Sequence, residues 1–304
     1  MSLKKLEVYG LEIKDEIKKG TDLAKLIIDE SRKQGCELKN GDIVVVTSKV
    51  VSKAAGKMYN LRDVRPSKKA KLLSKFFKGE DPRVMELIMR SGEIEYVIPI
   101  KELLGSFMEF FEKYSANKGQ IRAVLGEVPF FFMTKRGGLI LTDAGLDFSN
   151  SPKDHCTLPP EDPDKEALNI RMRIKELSGI DVAVVISDTE WKMDKLGSMD
   201  VAIGCSGITP ISKKFAGRDR YGKPKFGGLD CIADLLAATA NLLMGQTDES
   251  IPVVIIRGLK YERSDVGIKE LAYQGDLLKK AIKLVIWETI KLKILLNLAS
   301  LFDL

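Results

Sequence analysis

Short apolar runs that stop abruptly at polar clusters set the pattern of this chain. Ile43 to Val46 follows a Gly41-Asp42 turn, is β-branched and too short for a helix, and so reads as a buried strand; it ends at Thr47-Ser48-Lys49. The same grammar recurs at Gly138 to Leu141 before Thr142-Asp143-Ala144-Gly145-Leu146-Asp147, and at Val182 to Ile186 before Ser187-Asp188-Thr189. A fourth case is Val253 to Ile256 before Arg257-Gly258. A rigid sheet presents chemistry on the segments leaving its buried strands, so these four exits are candidates for one shared site.

Helical signals alternate with these runs. Thr21 reads as the N-cap of an amphipathic helix beginning Asp22-Leu23-Ala24, with Gly35 as its stop. Pro163 opens a helix over Asp164 to Leu177, and Ile232 to Met244 forms a small-residue helix ending at Gly245, apolar on most faces and expected to be buried. Between Lys101 and Val128, Phe107, Phe110 and Phe111 fall at helical spacing and suggest a packed helical pair. The tail from Asp276 to Phe302 places Leu278, Ile282, Val285, Leu292, Leu295 and Phe302 on one stripe, with lysines elsewhere; packing on its own body or on a second subunit is favoured over a membrane surface. With no repeat, low-complexity tract or clear linker, any lobes are interleaved in sequence. Periodicity alone supports a mixed α and β chain.

Composition narrows the function classes. A chain of 304 residues, 44% hydrophobic and 30% charged, suffices for a large core. The net charge of +6 is spread along the chain, which suits small anionic substrates and not a nucleic-acid duplex. Cys36, Cys156, Cys205 and Cys231 form no CxxC pair, so reduced thiols in a cytoplasmic protein are expected, with neither a zinc site nor a disulfide framework. Lysines interrupt every candidate membrane span and the N-terminus carries no signal-like apolar core. His155 is the sole histidine, which excludes a histidine-ligated metal centre within one subunit and leaves a catalytic triad resting on that one residue.

The remaining chemistry is oxygen and cation chemistry. Asp147 and Asp188 are short carboxylates expected in turns after apolar strands, where they suit Mg²⁺ or Mn²⁺, with Thr189 adding an oxygen. Capping of turns is an equally common use of such aspartates. Ser48, Lys49, Ser52 and Lys53 make a cationic, hydroxyl-rich segment able to hold phosphate oxygens, without the glycines of a P-loop. Arg218, Asp219, Arg220 and Tyr221 either bind an anion or form a surface turn, and Trp191 either stacks on a planar ring or sits in the core.

Taken in order, these segments resemble the coenzyme F420-0:γ-glutamyl ligase family. The matching stretches are Gly41 to Ala54, Asp143 to Asn150 and Leu158 to Asp164, followed by Ser187-Asp188-Thr189, Val201 to Gly204 and Tyr221-Gly222. Ala233-Asp234, Leu243-Met244-Gly245 and Ile251 to Gly258 complete the series. The resemblance implies an α+β protein with mixed sheets from interleaved segments, a two-lobed ligase body over 1–258 and a C-terminal amphipathic helical tail over 259–304. It also implies a homodimer. Asp147 and Asp188 are implied to bind one divalent metal, and Thr189, with Gln246, a second. Gly10, Leu11, Glu12, Ile13, Ser48, Lys49, Lys53 and Asn150 are implied to contact GTP, with Met244, Gly245 and Gln246 closing the site.

The implied chemistry is transfer of the GTP γ-phosphate to a substrate carboxylate, followed by attack of L-glutamate on the acyl phosphate, with Asp147, Asp188 and Lys53 as catalytic residues. Such phosphoryl transfer needs metal ions, cations and alignment more than a protein nucleophile. The chain departs from the family pattern in three places: Glu190 to Gly197, where a glycine and arginines are usual, an insertion over about 101–128, and the tail beyond Gly258. These departures bear on the carboxylate acceptor and leave the metal half of the site intact.

Overall fold

Five strands drawn from both ends of the chain build the central sheet. The computed structural model describes residues 5–192 and 194–301, the last four by backbone alone. The sheet runs β1 (Glu7–Leu11), β10 (Val253–Arg257), β2 (Ile43–Thr47), β8 (Ala183–Trp191) and β9 (Ser198–Ser206). β2 and β8 are parallel, in register from Ile43 opposite Ala183 to Thr47 opposite Ser187, and the other pairings are antiparallel.

Both faces of this sheet are covered, which is why its strands read as unbroken apolar runs. Val44, Val46, Val184, Ile186 and Ile255 meet α1 (Leu23–Lys33) and α8 (Pro163–Ser178) through Ile27, Ile28, Ile170 and Ile174. On the other face Ile43, Val45, Val185, Val254 and Ile256 pack on α9 (Ile232–Met244) through Leu236, Ala237 and Ala240. Asp42 and Arg257 fasten the far end: the guanidinium donates to both carboxylate oxygens, at 2.8 and 2.7 Å, in a pair that is almost wholly buried at Asp42.

The segment between β2 and β8 forms the rest of the body. α2 (Ser48–Ala54) follows β2 directly, and β3 (Met58–Asn60) pairs with β7 (His155–Thr157). A three-stranded antiparallel sheet, β4 (Glu93–Ile98), β5 (Phe131–Arg136) and β6 (Leu139–Thr142), carries α3 (Lys68–Phe76) and α4 (Pro82–Ser91). Ala70, Met85, Ile88 and Phe132 close that second core. The fold is thus α+β, with sheets assembled from interleaved segments.

Several sequence expectations change in detail. The first helix is capped by Asp22, whose side chain accepts from Lys25 N, while Thr21 Oγ1 accepts from Lys18 N one turn earlier. The expected helical pair over 101–128 is instead three short helices, α5 (Ile100–Gly105), α6 (Met108–Tyr114) and α7 (Ile121–Glu127), with Phe107 and Phe110 well exposed. α9 has the expected bounds, but it buries one side only; Leu235 and Leu242 face outward. β8 continues past Ile186 through a bulge, so Asp188 and Thr189 lie within a strand and not in a turn. Trp191, in that extension, packs beside Phe131 with ring centroids 6.2 Å apart.

The chain divides into a unit ending at Glu270 and a second, Leu271–Leu304, that contains α10 (Leu277–Leu301). The tail is helical as expected. Its exposed apolar residues include Leu284, Ile286, Trp287, Ile290 and Ile294 as well as Val285, Leu292 and Leu295, so they extend well beyond one stripe. Phe302 lies outside the described residues.

Gly204 on β9 shows how closely α8 approaches the sheet: a Cβ there would lie 2.5 Å from the Pro163 carbonyl carbon. Gly204→Ala is expected to destabilise the fold by about 1–3 kcal/mol, because the opposing atoms are backbone and the helix must shift. Gly105→Ala, at an open helical position, provides the control and should leave stability unchanged or slightly raised in the same urea titration.

Candidate active site

The exits of β2, β6 and β8 converge on one cavity of about 730 Å³, joined by the entry to β10 and not by its exit at Arg257-Gly258, which antiparallel pairing with β2 carries to the opposite end of the sheet. Its walls include Thr47 to Val50, Thr142 to Asn150 with Ala144 excepted, Ser187 to Thr189, and Met244 to Pro252. Parallel pairing of β2 with β8 brings Ser48 next to Asp188, and the Ser48 hydroxyl donates to Asp188 Oδ1 at 2.9 Å.

Two lysines of α2 face the cavity on successive turns. Lys49 Nζ lies 2.9 Å from Asp147 Oδ2 and also donates to the Ser149 hydroxyl. Lys53, only 7% exposed, donates to Glu16 at 2.7 Å and to the Asn150 carbonyl at 2.9 Å. Asn150 Nδ2 donates in turn to the Thr247 carbonyl at 3.1 Å, tying this wall to the 244–252 loop. The cations are thus held by acidic and carbonyl oxygens that an anionic ligand could replace.

Asp188 has no such cation. Its Oδ1 accepts from Ser48 and from Thr189 N, while Oδ2 is buried without a hydrogen-bond partner. Burial pushes the carboxyl up to about 8, and the nearby charges of Glu190 and Asp147 add to the shift. A buried carboxylate with an unused oxygen is a place where a positive charge is missing. Thr189 Oγ1 accepts from Gln246 Nε2 at 3.2 Å and donates to Asp200 at 2.7 Å. The available donors are therefore all oxygens, which suit Mg²⁺ or Mn²⁺. Among the described residues no three His, Cys, Asp or Glu side chains gather as a metal cluster, so a cation here would draw its remaining ligands from phosphate and water.

The turn carrying Asp147 is held in an uncommon conformation. Asp143, Ala144 and Gly145 all have positive φ, at 51, 59 and 76°. Only glycine adopts this freely, and at Gly145 it serves a second need: a Cβ would come within 2.6 Å of Pro159 and 3.1 Å of Asp188 Oδ2. The Asp143 carboxylate accepts from Phe132 N at 2.8 Å, and Arg136 donates to the Ala144 carbonyl at 3.2 Å. Downstream, Asp147 and Thr157 exchange backbone hydrogen bonds of 3.0 and 2.8 Å.

Most of the expected site residues meet here. Ile13, Ser48, Lys49, Lys53, Asp147, Asn150, Asp188, Thr189, Met244, Gly245 and Gln246 all line the cavity. Gly10, Leu11 and Glu12 do not: Leu11 is buried in the core, and the Glu12 backbone is engaged by the Gln34 side chain. Ser52 is buried and donates to the Ser48 carbonyl. The Arg218 to Tyr221 cluster also lies apart, in an exposed loop where Arg218 donates to the Gly222 carbonyl. Sequence reasoning missed Glu16 and Asp200, and took Thr142 and Asp143 only as part of a strand exit, with no role of their own. Asp200 left a trace as the acidic residue of β9, where it pairs opposite Thr189.

Comparison with known proteins identifies the family. Residues 12–258 match the family model described as F420-0:Gamma-glutamyl ligase. The chain belongs to that family. It is 35% identical over 258 residues to the coenzyme F420:L-glutamate ligase of Methanopyrus kandleri, covering 84% of this chain and 88% of that one. The enzyme of the same description from Methanothermobacter thermautotrophicus is 33% identical, covering 90% and 97% of the two chains, and that from Archaeoglobus fulgidus is 32% identical, covering 92% and 98%. Among the described residues of this family member no helix is long and apolar enough to cross a membrane.

Under the strained turn, Glu80 and Asp143 are both raised to about 7, chiefly by burial; Asp143 adds to the shift at Glu80, and Glu190 to that at Asp143. For acids raised on folding, the stabilising contribution is full below their ordinary values of 4.5 and 3.8 and is lost as pH climbs toward about 7. Glu80→Gln is expected to flatten that decline and to be more stable than the parent at about pH 8, as urea titrations across this range would read. Parallel pH profiles for parent and variant would mean that Glu80 ionises freely.

Proposed function

We propose that this protein is a GTP- and divalent-metal-dependent ligase that joins L-glutamate to the carboxylate of the coenzyme F420 precursor. Family membership makes it a ligase forming carbon–nitrogen bonds; the nucleotide, the metal and the acyl phosphate route belong to the proposal. The observation that carries it is the partnerless Asp188 Oδ2 in the same cavity as Lys49 and Lys53. That combination answers the needs of a metal-bound triphosphate, cation against carboxylate and phosphate against ammonium.

In this reading Lys49 and Lys53 exchange their present oxygen partners for phosphate oxygens, which frees Asp147 to face the cation. Ser48 and Thr189 N hold Asp188 Oδ1, so Oδ2 would be the oxygen available to hold the same cation. A bound Mg²⁺ or Mn²⁺ supplies neutralisation of phosphate charge. An acceptor carboxylate oxygen attacks the γ-phosphorus, the bond to the β,γ-bridging oxygen breaks, and GDP leaves. The glutamate amine then adds to the acyl carbon and loses a proton as inorganic phosphate departs with its bonding pair. No protein nucleophile is required; the protein aligns the groups and excludes water. The outward leucines of α9 support the expected homodimer, which sedimentation would test.

Incubation with GTP, Mn²⁺, L-glutamate and the deazaflavin precursor should give a nucleotide-dependent glutamyl adduct by mass spectrometry. GTP cleavage only with another carboxylate would assign a different acceptor, consistent with the altered 190–197 segment. No cleavage with any acceptor would defeat the reading. Asp188→Asn should lower turnover by about 100-fold or more, beyond the usual loss for a residue that merely supports a ligand. The same variant should melt no lower than the parent in the absence of metal, because it replaces a carboxyl whose ionisation burial opposes with an uncharged amide.

A further inference from the structure

Glu190 is a buried carboxylate that this chemistry leaves unused. It is 9% exposed, lies on β8 two residues beyond Asp188, and directs both oxygens at one residue. Oε1 accepts from Thr142 N at 3.0 Å, and Oε2 accepts from the same N–H at 3.2 Å and from Thr142 Oγ1 at 2.6 Å. Thr142 ends β6 and immediately precedes the left-handed turn of Asp143, Ala144 and Gly145. β6 and β8 belong to different sheets, so this contact joins the strand bearing Asp188 to the turn leading to Asp147.

The turn needs holding. Two of its three positive-φ residues carry a Cβ, a conformation that persists only where surrounding contacts enforce it. Gly145 also lies against Asp188 Oδ2, so displacement of the turn is felt at that carboxylate. The Thr157 bridge anchors Asp147 from the far side, leaving the near side to Thr142, Asp143 and Arg136.

We propose that Glu190 is a positioning residue: by bracing Thr142 it fixes the spacing of Asp147 and Asp188 and thereby aligns the phosphate site between them. It contacts neither substrate nor metal in this role. The inference rests on the functional reading above, in which those two aspartates act together, and it gives a purpose to one residue of the segment that departs from the family pattern.

The test compares Glu190→Ala, Glu190→Gln, Thr142→Val and the double variant Glu190→Ala/Thr142→Val in the full chain. Mn²⁺–GTP affinity is read by calorimetry, with kcat, KM for glutamate and thermal melting alongside. Glu190→Ala should lower both kcat and Mn²⁺–GTP affinity by about 10–100-fold, with KM for glutamate unchanged. Glu190→Gln should recover most of that loss, since its amide oxygen still accepts from Thr142 N. The double variant should be no worse than Glu190→Ala, because one contact has been removed twice.

Folded Glu190→Ala with parental kcat and affinity would overturn the brace and leave the Thr157 bridge as sufficient. Additive losses in the double variant would do the same. Should Glu190→Ala not fold, the similarly sized Glu190→Met, which offers Thr142 no oxygen acceptor, decides: parental affinity rejects the brace and reduced affinity supports it. Parent protein that binds Mn²⁺–GTP but joins no glutamate would defeat the functional reading while the affinity comparison still decides the brace. Parent protein that binds no Mn²⁺–GTP would defeat both.

Discussion

The parallel pairing of β2 with β8 is the constraint on which the rest depends. Its last rung sets Thr47 opposite Ser187, and the next residues on the two strands are Ser48 and Asp188. One strand then turns into α2 while the other continues, so a hydroxyl and a carboxylate meet at 2.9 Å and two lysines follow on the helix beside them. Parallel strands require a long crossover. Here the crossover contains the smaller sheets and the turn carrying Asp147, and its return brings that turn back against Asp188.

Burial on both faces makes this frame rigid enough to hold unfavourable local arrangements. Three successive left-handed residues, the last a glycine pressed between Pro159 and Asp188, lie directly against a carboxylate oxygen that has no partner. Each would relax in a looser setting. The surrounding hydrogen bonds from Phe132 N, Arg136 and Thr142 prevent it. The electrostatics follow the same logic. Lys49 and Lys53 are already matched with oxygens, while Asp188 is shielded from water and one of its oxygens has no partner.

Strand exits were legible because a strand covered on both faces reads as an unbroken apolar run, and the polar residue that ends it stands out. That is why Ser48, Asp147 and Asp188 were found by inspection, whereas Met244 to Gln246, at the end of a helix, came only from the resemblance. β4 and β5 were less legible: Glu93, Glu95, Lys135 and Arg136 interrupt them, since their sheet is covered less completely. The extension of β8 past its bulge was hidden for a related reason. Polar residues at 187–190 resemble a turn until β9 pairs with them, and that pairing is a non-local event.

The sequence by itself determined the apolar strands and the bounds of α9, because local burial periodicity encodes them, and through its ordered motifs it carried the α+β class and the main polar residues of the cavity. It also carried the family. Only the tertiary structure decided that Asp188 lies inside a strand with a buried, partnerless oxygen, that the Asp143 to Gly145 turn is strained and pressed against it, and that Glu190 joins the two. These depend on which sheet edges meet. A linear pattern fixes what each segment buries, but distances between segments 48 or 140 residues apart are set by packing alone.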